Sequence, residues 1–180
     1  VAAALAGEQS AFEQIVRRYQ RPVVNLIARI TGDRDQAEDL AQDAFVKAFR
    51  SLAAFDTGRR LSSWLLRIAH NTAIDAVRRP RRAMVSIDAQ PESPGRAATV
   101  PVAATEPDPV ERAALGAALE AAMARLRPEF RSAVVLRYDE GLPFDEIGHV
   151  MGIPEATARS HVHRARKELA RHLTEAGWAP

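Results

Sequence analysis

From Ala83 to Pro109 the chain loses all apolar periodicity, and Pro91, Pro94, Pro101, Pro107 and Pro109 lie among Ala, Ser, Thr and Gly. A packed segment of that composition would bury little apolar surface against the cost of ordering its backbone, ~1 to 2 kcal/mol per residue. It reads as a flexible linker at 83–109, which divides the chain into domains of 1–82 and 110–180. The flanks are patterned quite differently.

On both sides apolar residues recur at steps of three and four, the period of a helix with one buried face. Phe12, Ile15, Val16, Tyr19, Val23, Leu26, Ile27 and Ile30 make the first such run. Within it Pro22 removes an amide donor, which predicts a kink near Arg18 to Pro22 or a helix restarting there. Thr31-Gly32-Asp33 breaks the pattern, and Ala37, Leu40, Ala41, Ala44, Phe45, Ala48 and Leu52 resume it. A third helix starts near Ser62 or Ser63, uses Leu65, Ile68, Ala69, Thr72 and Val77, and ends before Pro80. Beyond the linker, Val110 to Leu126 uses Leu115, Leu119, Met123 and Leu126. Pro128 opens a helix with Phe130, Val134, Val135 and Tyr138 that stops at Gly141. Pro143 to Met151 turns Phe144, Ile147 and Gly148 inward, and after Gly152 a long helix runs from Pro154 to about Leu173. No stretch alternates with period two for long enough to require a strand. The expected fold class is all-α: two small helical domains joined by a flexible linker, the second ending in a helix-turn-helix around GHVMGIPEAT at 148–157.

Composition narrows the function classes. A length of 180 residues, 47% of them apolar, suffices for one modest core or two small ones. With no cysteine, disulfides, thiolate nucleophiles and cysteine-ligated zinc are excluded, in agreement with a reducing compartment. No apolar run approaches the ~18 residues of a membrane span. The opening VAAALAGEQ has neither a basic segment nor an apolar stretch suited to export. A soluble cytoplasmic protein without stable membrane insertion is expected. There is no Gly-rich phosphate loop, His-Glu-x-x-His site or nucleophile triad. His161, His163 and His172 lack a fourth ligand, and residues two apart on a helix point in different directions. No enzyme, cofactor, metal or small-molecule substrate is therefore expected.

Charge placement says more than the net +2. Arg59 to Arg82 holds Arg59, Arg60, Arg67, Arg78, Arg79, Arg81 and Arg82 against the single Asp75. Packing four arginines into positions 78–82 is repulsive unless a polyanion is near, which points to nucleic acid over an ordinary solvated face. By contrast Asp33, Asp35, Glu38, Asp39 and Asp43 face only Arg34, a surface that repels DNA and suits a basic or polar protein. The last helix adds Arg159, Arg164, Arg166, Lys167 and Arg171, and the second helix of such a motif fits the ~12 Å major groove. A basic amphipathic membrane helix would need no such preceding turn.

At this point ITGDRDQAEDLAQDAFVKAFRSLAAF at 30–55, SSWLLRIAHNTAIDAVRR at 62–79 and the segment from LRPEF to RARKEL at 126–169 together resemble bacterial RNA polymerase sigma factors of the extracytoplasmic-function group. The resemblance covers nearly the whole chain. It implies that the first domain binds the polymerase clamp and the upstream part of the melted promoter, while the second binds the upstream promoter element and the flap. On that resemblance Asp39, Gln42, Asp43 and Phe45 fall in the clamp-binding helix. Asp56, Thr57, Gly58, Arg59, Arg60 and Leu61 fall in the loop that accepts a flipped base of the nontemplate strand, where Gly58 would permit close backbone approach. Trp64 reads as a packing residue rather than a stacking platform. Asn71, Asp75, Arg78 and Arg79 occupy the helix beside the melted segment, with Asn71, Arg78 and Arg79 as DNA contacts. Thr157, Arg159, Ser160, His163 and Arg164 are the recognition-helix contacts, and Glu155 is a first-turn stabiliser or a cytosine reader. This chain has Ala156, Ala158 and His161 where the family often has Gly, Val and Arg, so His161 is the weakest anchor.

The resemblance implies a dissociable specificity subunit whose partners are core RNA polymerase, promoter DNA and an anti-sigma factor, and which performs no catalysis. An autonomous helix-turn-helix repressor or activator is the alternative, and an enzyme a remote one. Elements about 17 base pairs apart are separated by roughly 58 Å at ~3.4 Å per base pair. The linker spans at most roughly 85 to 97 Å extended, yet only ~28 Å as a coil, so polymerase must hold the domains apart. Free of polymerase, the two domains can contact each other and cover those surfaces.

Overall fold

The computed structural model describes residues 2–5, 7–78 and 109–178. Residues 83–108 of the expected linker, with Arg79, Arg81 and Arg82, lie outside the described residues. All described regular structure is helical: α1 Ala2–Leu5, α2 Gln9–Thr31, α3 Arg34–Ser51, a 3-10 turn Leu52–Ala54, α4 Leu61–Arg78, α5 Pro109–Arg125, α6 Pro128–Tyr138, α7 Phe144–Met151 and α8 Glu155–Glu175.

The first unit is α2, α3 and α4 packed on one another. Pro22 neither ends nor restarts α2, which runs unbroken from Gln9 to Thr31. An interior proline costs ~3 kcal/mol. Val23, Leu26, Ile27 and Ile30, on the turns that follow it, are all buried to 1% exposure or less. Each such burial contributes ~1.5 to 3 kcal/mol, so together they outweigh the missing bond. Gly32 closes α2 with φ 75°, its N–H reaching Ala28 O, and Asp33 caps α3 by accepting from the Gln36 N–H at 3.0 Å. That pair of caps turns the chain back within two residues. On α3 the inward positions are Ala37, Ala41, Ala44, Phe45 and Ala48, mostly small, which lets α2 and α4 approach closely.

In the second unit α6 is buried nearly all round, through Phe130, Ser132, Ala133, Val134, Val135 and Leu136, because α8 and α7 cover one side and α2 of the first unit the other. Tyr138, expected on its apolar face, is 56% exposed at the helix end. Pro109 opens α5. That helix departs from its expected pattern: Met123 is buried, as is Leu126 just beyond its end, but Leu115 and Leu119 are 40% and 41% exposed. Its packing on α8 engages its C-terminal half, where Ala122 and Met123 are its buried residues. The α7–α8 turn closes at Gly152, φ 69°, with the Ile153 N–H on Gly148 O at 2.9 Å. A Cβ on Gly148 would stand 2.7 Å from Ile153 O, so this glycine lets the turn sit directly on α7.

The two units are in contact, α4 against α7 and α2 against α6. Arg131 of α6 donates from Nη1 to Arg29 O and Ile30 O at 3.1 and 3.0 Å, capping the negative end of α2. From Nη2 it donates to Ala124 O and Leu126 O, both at 2.9 Å, so one guanidinium joins the end of α2 to the end of α5. Arg29 pairs with Glu120 beside it, and Arg59 Nη1 donates to His149 Nδ1 at 3.1 Å.

Candidate protein and nucleic-acid interfaces

On α3, Asp39, Gln42 and Asp43 are exposed on one helical stripe. Among the described residues neither aspartate makes an ion pair, so both charges are open to a partner. Phe45 does not belong to that face. It is 7% exposed, with its ring 6.2 Å from that of Phe49, and it serves the core. The apolar side chain that does share the stripe is Val46, 46% exposed and three or four residues beyond Gln42 and Asp43. The family resemblance drew the assignment to Phe45, whose neighbour Val46 was passed over, although the spacing of Phe45 with the inward alanines at 41, 44 and 48 already placed it in the core run.

Between the 3-10 turn and α4, Asp56 Oδ1 accepts from the Gly58 N–H at 3.0 Å and the Arg59 N–H bonds Asp56 O at 3.0 Å. The Asp56 carboxylate also lies 3.5 Å from Arg59 Nε. This is a local turn held by its own first residue. Gly58 is not in the left-handed region here; its role is room, since a Cβ would lie 3.2 Å from Asp56 Oδ1. Thr57, Gly58, Arg59 and Arg60 are exposed at the tip. Leu61, grouped with them by sequence, instead opens α4 and packs half-buried on the core. Phe55 and Trp64 pack with their ring centres 5.2 Å apart and their planes tilted by 56°, pinning the two ends of the loop, so Trp64 is a packing residue.

Asn71, Asp75 and Arg78 are exposed along α4 at four- and three-residue steps, and exposed Arg67 extends the same stripe one turn earlier. Arg79 lies outside the described residues. His70, next to Asn71, is 6% exposed; burial holds its pKa below the ordinary value, only partly opposed by the Asn71 side chain at 3.5 Å.

The second basic face is on α8. Ala158, Val162 and Ala165 turn inward; Arg159, His163 and Arg164 are exposed, while Thr157 and Ser160 are half-buried at the edge of the same face. His161 is withdrawn from it, its ring packed edge-on to Phe130 at 5.3 Å, its Nδ1 buried without a partner and its pKa lowered by that burial. Glu155 accepts from Arg159 Nη2 at 2.7 Å, in line with a first-turn stabiliser. Farther along, Arg164, Lys167 and Arg171 share a shallow groove with Glu168. Contact between the units leaves Thr57, Gly58, Arg60, Asn71 and Arg78 exposed and engages Arg59. Among the described residues no group of three His, Cys, Asp or Glu side chains is placed to hold a metal, and no helix is long and apolar enough to cross a membrane.

Residues 15–83 match the family model for sigma-70 region 2, and residues 116–169 that for sigma-70 region 4. Among curated proteins, the ECF RNA polymerase sigma factor SigE of Mycolicibacterium smegmatis is 38% identical over 175 residues, covering 94% of this chain and 65% of that protein. The ECF RNA polymerase sigma factor SigW of Bacillus subtilis is 32% identical over 184 residues, covering 94% of this chain and 92% of its own length. Among solved structures, CnrH in complex with the cytosolic domain of CnrY superposes with a TM-score of 0.68 at 25% identity, covering 97% of this chain and 94% of that one.

Proposed function

The chain belongs to the sigma-70 family of RNA polymerase sigma factors, in its extracytoplasmic-function group, and from that premise we propose how its surfaces divide the work. As a member of that family it is a non-enzymatic subunit that binds core RNA polymerase and promoter DNA to initiate transcription. The domains are 1–82, acting at the polymerase clamp and the melted element, and 110–180, acting at the upstream element, with 83–109 joining them. Asp39, Gln42 and Asp43, with Val46 as the apolar contact in place of Phe45, dock on polymerase. The Asp56 turn presents Thr57, Gly58, Arg59 and Arg60 to an extruded base of the nontemplate strand, while Asn71, Arg78 and Arg79 hold the adjoining duplex. Thr157, Arg159, Ser160, His163 and Arg164 read the upstream element from the major groove.

What carries this reading is the order and charge of the two matched regions. An open acidic stripe on α3 and basic stripes on α4 and α8 occur in one chain, the first two in the segment matched to sigma-70 region 2 and the third beginning in that matched to region 4. Strand opening then needs no bond chemistry. A base stacked or pocketed in the loop is held by ~1 to 3 kcal/mol, enough to convert transient fraying into a trapped open state. A cytosolic protein domain bound to the related CnrH supports an anti-sigma partner for this chain as well. The site of action is the cytoplasm, with the protein on the nucleoid when polymerase-bound.

The test is reconstitution with core polymerase and a promoter library, mapping transcription starts and permanganate-reactive thymines. Defined starts with melted bases only when both proteins are present are expected. Specific duplex binding without polymerase-dependent opening would replace this reading with an autonomous helix-turn-helix regulator.

A further inference from the structure

Arg159 stands at the end of α8 that enters the groove, and nothing buries it: its side chain is 63% exposed. A free arginine in that position would sample many rotamers, and each approach to a base would require it to be ordered again. Here it is already held at two points. Its Nη2 donates to Glu155 Oε1 at 2.7 Å, and its guanidinium carbon lies 4.8 Å from the centre of the Phe144 ring. Phe144 is the first residue of α7, half-buried against the core, so the ring is fixed by the helix preceding the turn. The same ring carries a second guanidinium, that of Arg137 at 4.7 Å, and Arg137 is tied by Nη1 to Leu142 O at 2.9 Å. A chain of contacts thus runs from the end of α6, through the first residue of α7, to the second turn of α8.

We infer that Phe144 is a positioning residue for promoter specificity: braced by Arg137, its ring holds Arg159 in the orientation from which the guanidinium fork meets the O6 and N7 acceptors of a guanine in the upstream element. One of the five guanidinium N–H groups is used by Glu155, which leaves a pair free for the base. Phe144 itself touches no DNA in this scheme; it acts by shortening the search of Arg159. The inference rests on α8 reading the upstream element, and the experiment separates the two.

Full-length protein with core polymerase is assayed on a promoter set varied one base at a time through the upstream element, for the unaltered chain and for Phe144→Leu, Phe144→Tyr, Arg159→Ala and Phe144→Leu/Arg159→Ala. Arg159→Ala should lose discrimination at one guanine. Phe144→Leu, which keeps an apolar side chain of similar size, should lose roughly two- to fivefold at that same guanine, the scale of one exposed cation–π contact, and leave the other positions alone. Phe144→Tyr should restore it, and the double variant should be no worse than Arg159→Ala. If Phe144→Leu weakens every position evenly, or adds its full effect to Arg159→Ala, the ring serves only the fold and the inference is wrong. If Arg159→Ala leaves discrimination untouched everywhere, the role given to Arg159 on α8 is wrong, and the inference falls with it.

Discussion

Asp56 makes the turn that it also decorates, which makes its two roles separable by substitution. Replacing it with Ala removes an acceptor from the Gly58 N–H, held at 3.0 Å, and the nearby charge from Arg59. A net loss of ~0.5 to 1.5 kcal/mol from local order follows, and because the loop is exposed it should appear in function rather than in the melting temperature. Asp56→Ala should weaken permanganate reactivity of the melted segment severalfold with polymerase affinity unchanged, and Asp56→Asn, which keeps the accepting oxygen, should recover most of it. Val46 and Phe45 divide in the opposite sense. Phe45→Ala empties a packed site and should cost ~3 to 5 kcal/mol in denaturant unfolding. Val46→Ser changes an exposed side chain and should move stability by less than ~0.5 kcal/mol while weakening binding to core polymerase in a titration. Equal losses of stability for the two would return Val46 to the core and leave the acidic stripe without its apolar contact.

Among the elements, those whose apolar faces meet their own unit were legible from spacing, and those completed by the other unit were not. The runs in α2 and α3 located their inward residues because α2, α3 and α4 supply most of one another's cover, although α2 also meets α6. The mixed apolar pattern of α6 announced a helix but not that it would be covered on two sides, since the second cover is α2, more than ninety residues away. Leu115 and Leu119 show the converse error: spacing of three and four says which residues share a face, not how far along the helix that face is covered. A stability series follows directly. Met123→Ala and Leu126→Ala should each cost ~2 to 5 kcal/mol, whereas Leu115→Ala and Leu119→Ala should each stay below ~1 kcal/mol in chemical denaturation. Of the candidate site, the charge stripes were readable from where charged residues fall along the chain and the recognition helix from its turn pattern and the family resemblance; the Asp56 turn and the Phe144 ring were not, because both depend on where backbone and rings converge in space.

For the whole molecule, the contact between the units sets a condition on the proposed function: if each unit reads its own element, roughly 58 Å apart at ~3.4 Å per base pair, the units have to leave an arrangement in which α4 touches α7 and α2 touches α6. The arrangement should respond to protons at a definable place. His149 Nδ1 accepts from Arg59, which requires a neutral ring, and its pKa is held below the ordinary value of 6.5 by burial first, then by Arg59 and Arg67, with Glu146 opposing. Buried His70, lowered by burial and by Arg78 against Asn71 and Glu129, has the same sign. Both rings are favoured uncharged, but only His149 meets its partner across the units, so that contact is fully supported above pH 6.5 and loses support as pH falls below it. Burial raises the pKa values of Asp139 and Glu140 above 3.8 and 4.5, so these two groups favour the protonated form and act in the opposite direction to the histidines. With no native cysteine, Gln14→Cys and Ala170→Cys give a clean label pair across α2 and α8. Their distance distribution should broaden and lengthen between about pH 7.5 and about pH 5.5, the range over which histidine titrates. His149→Asn keeps an acceptor for Arg59 without a titratable ring and should blunt that response, while added core polymerase should lengthen the distance at either pH. A short, unchanging distance across the range would mean that the Arg59 contact has no part in holding the units together, and that opening is left to polymerase alone.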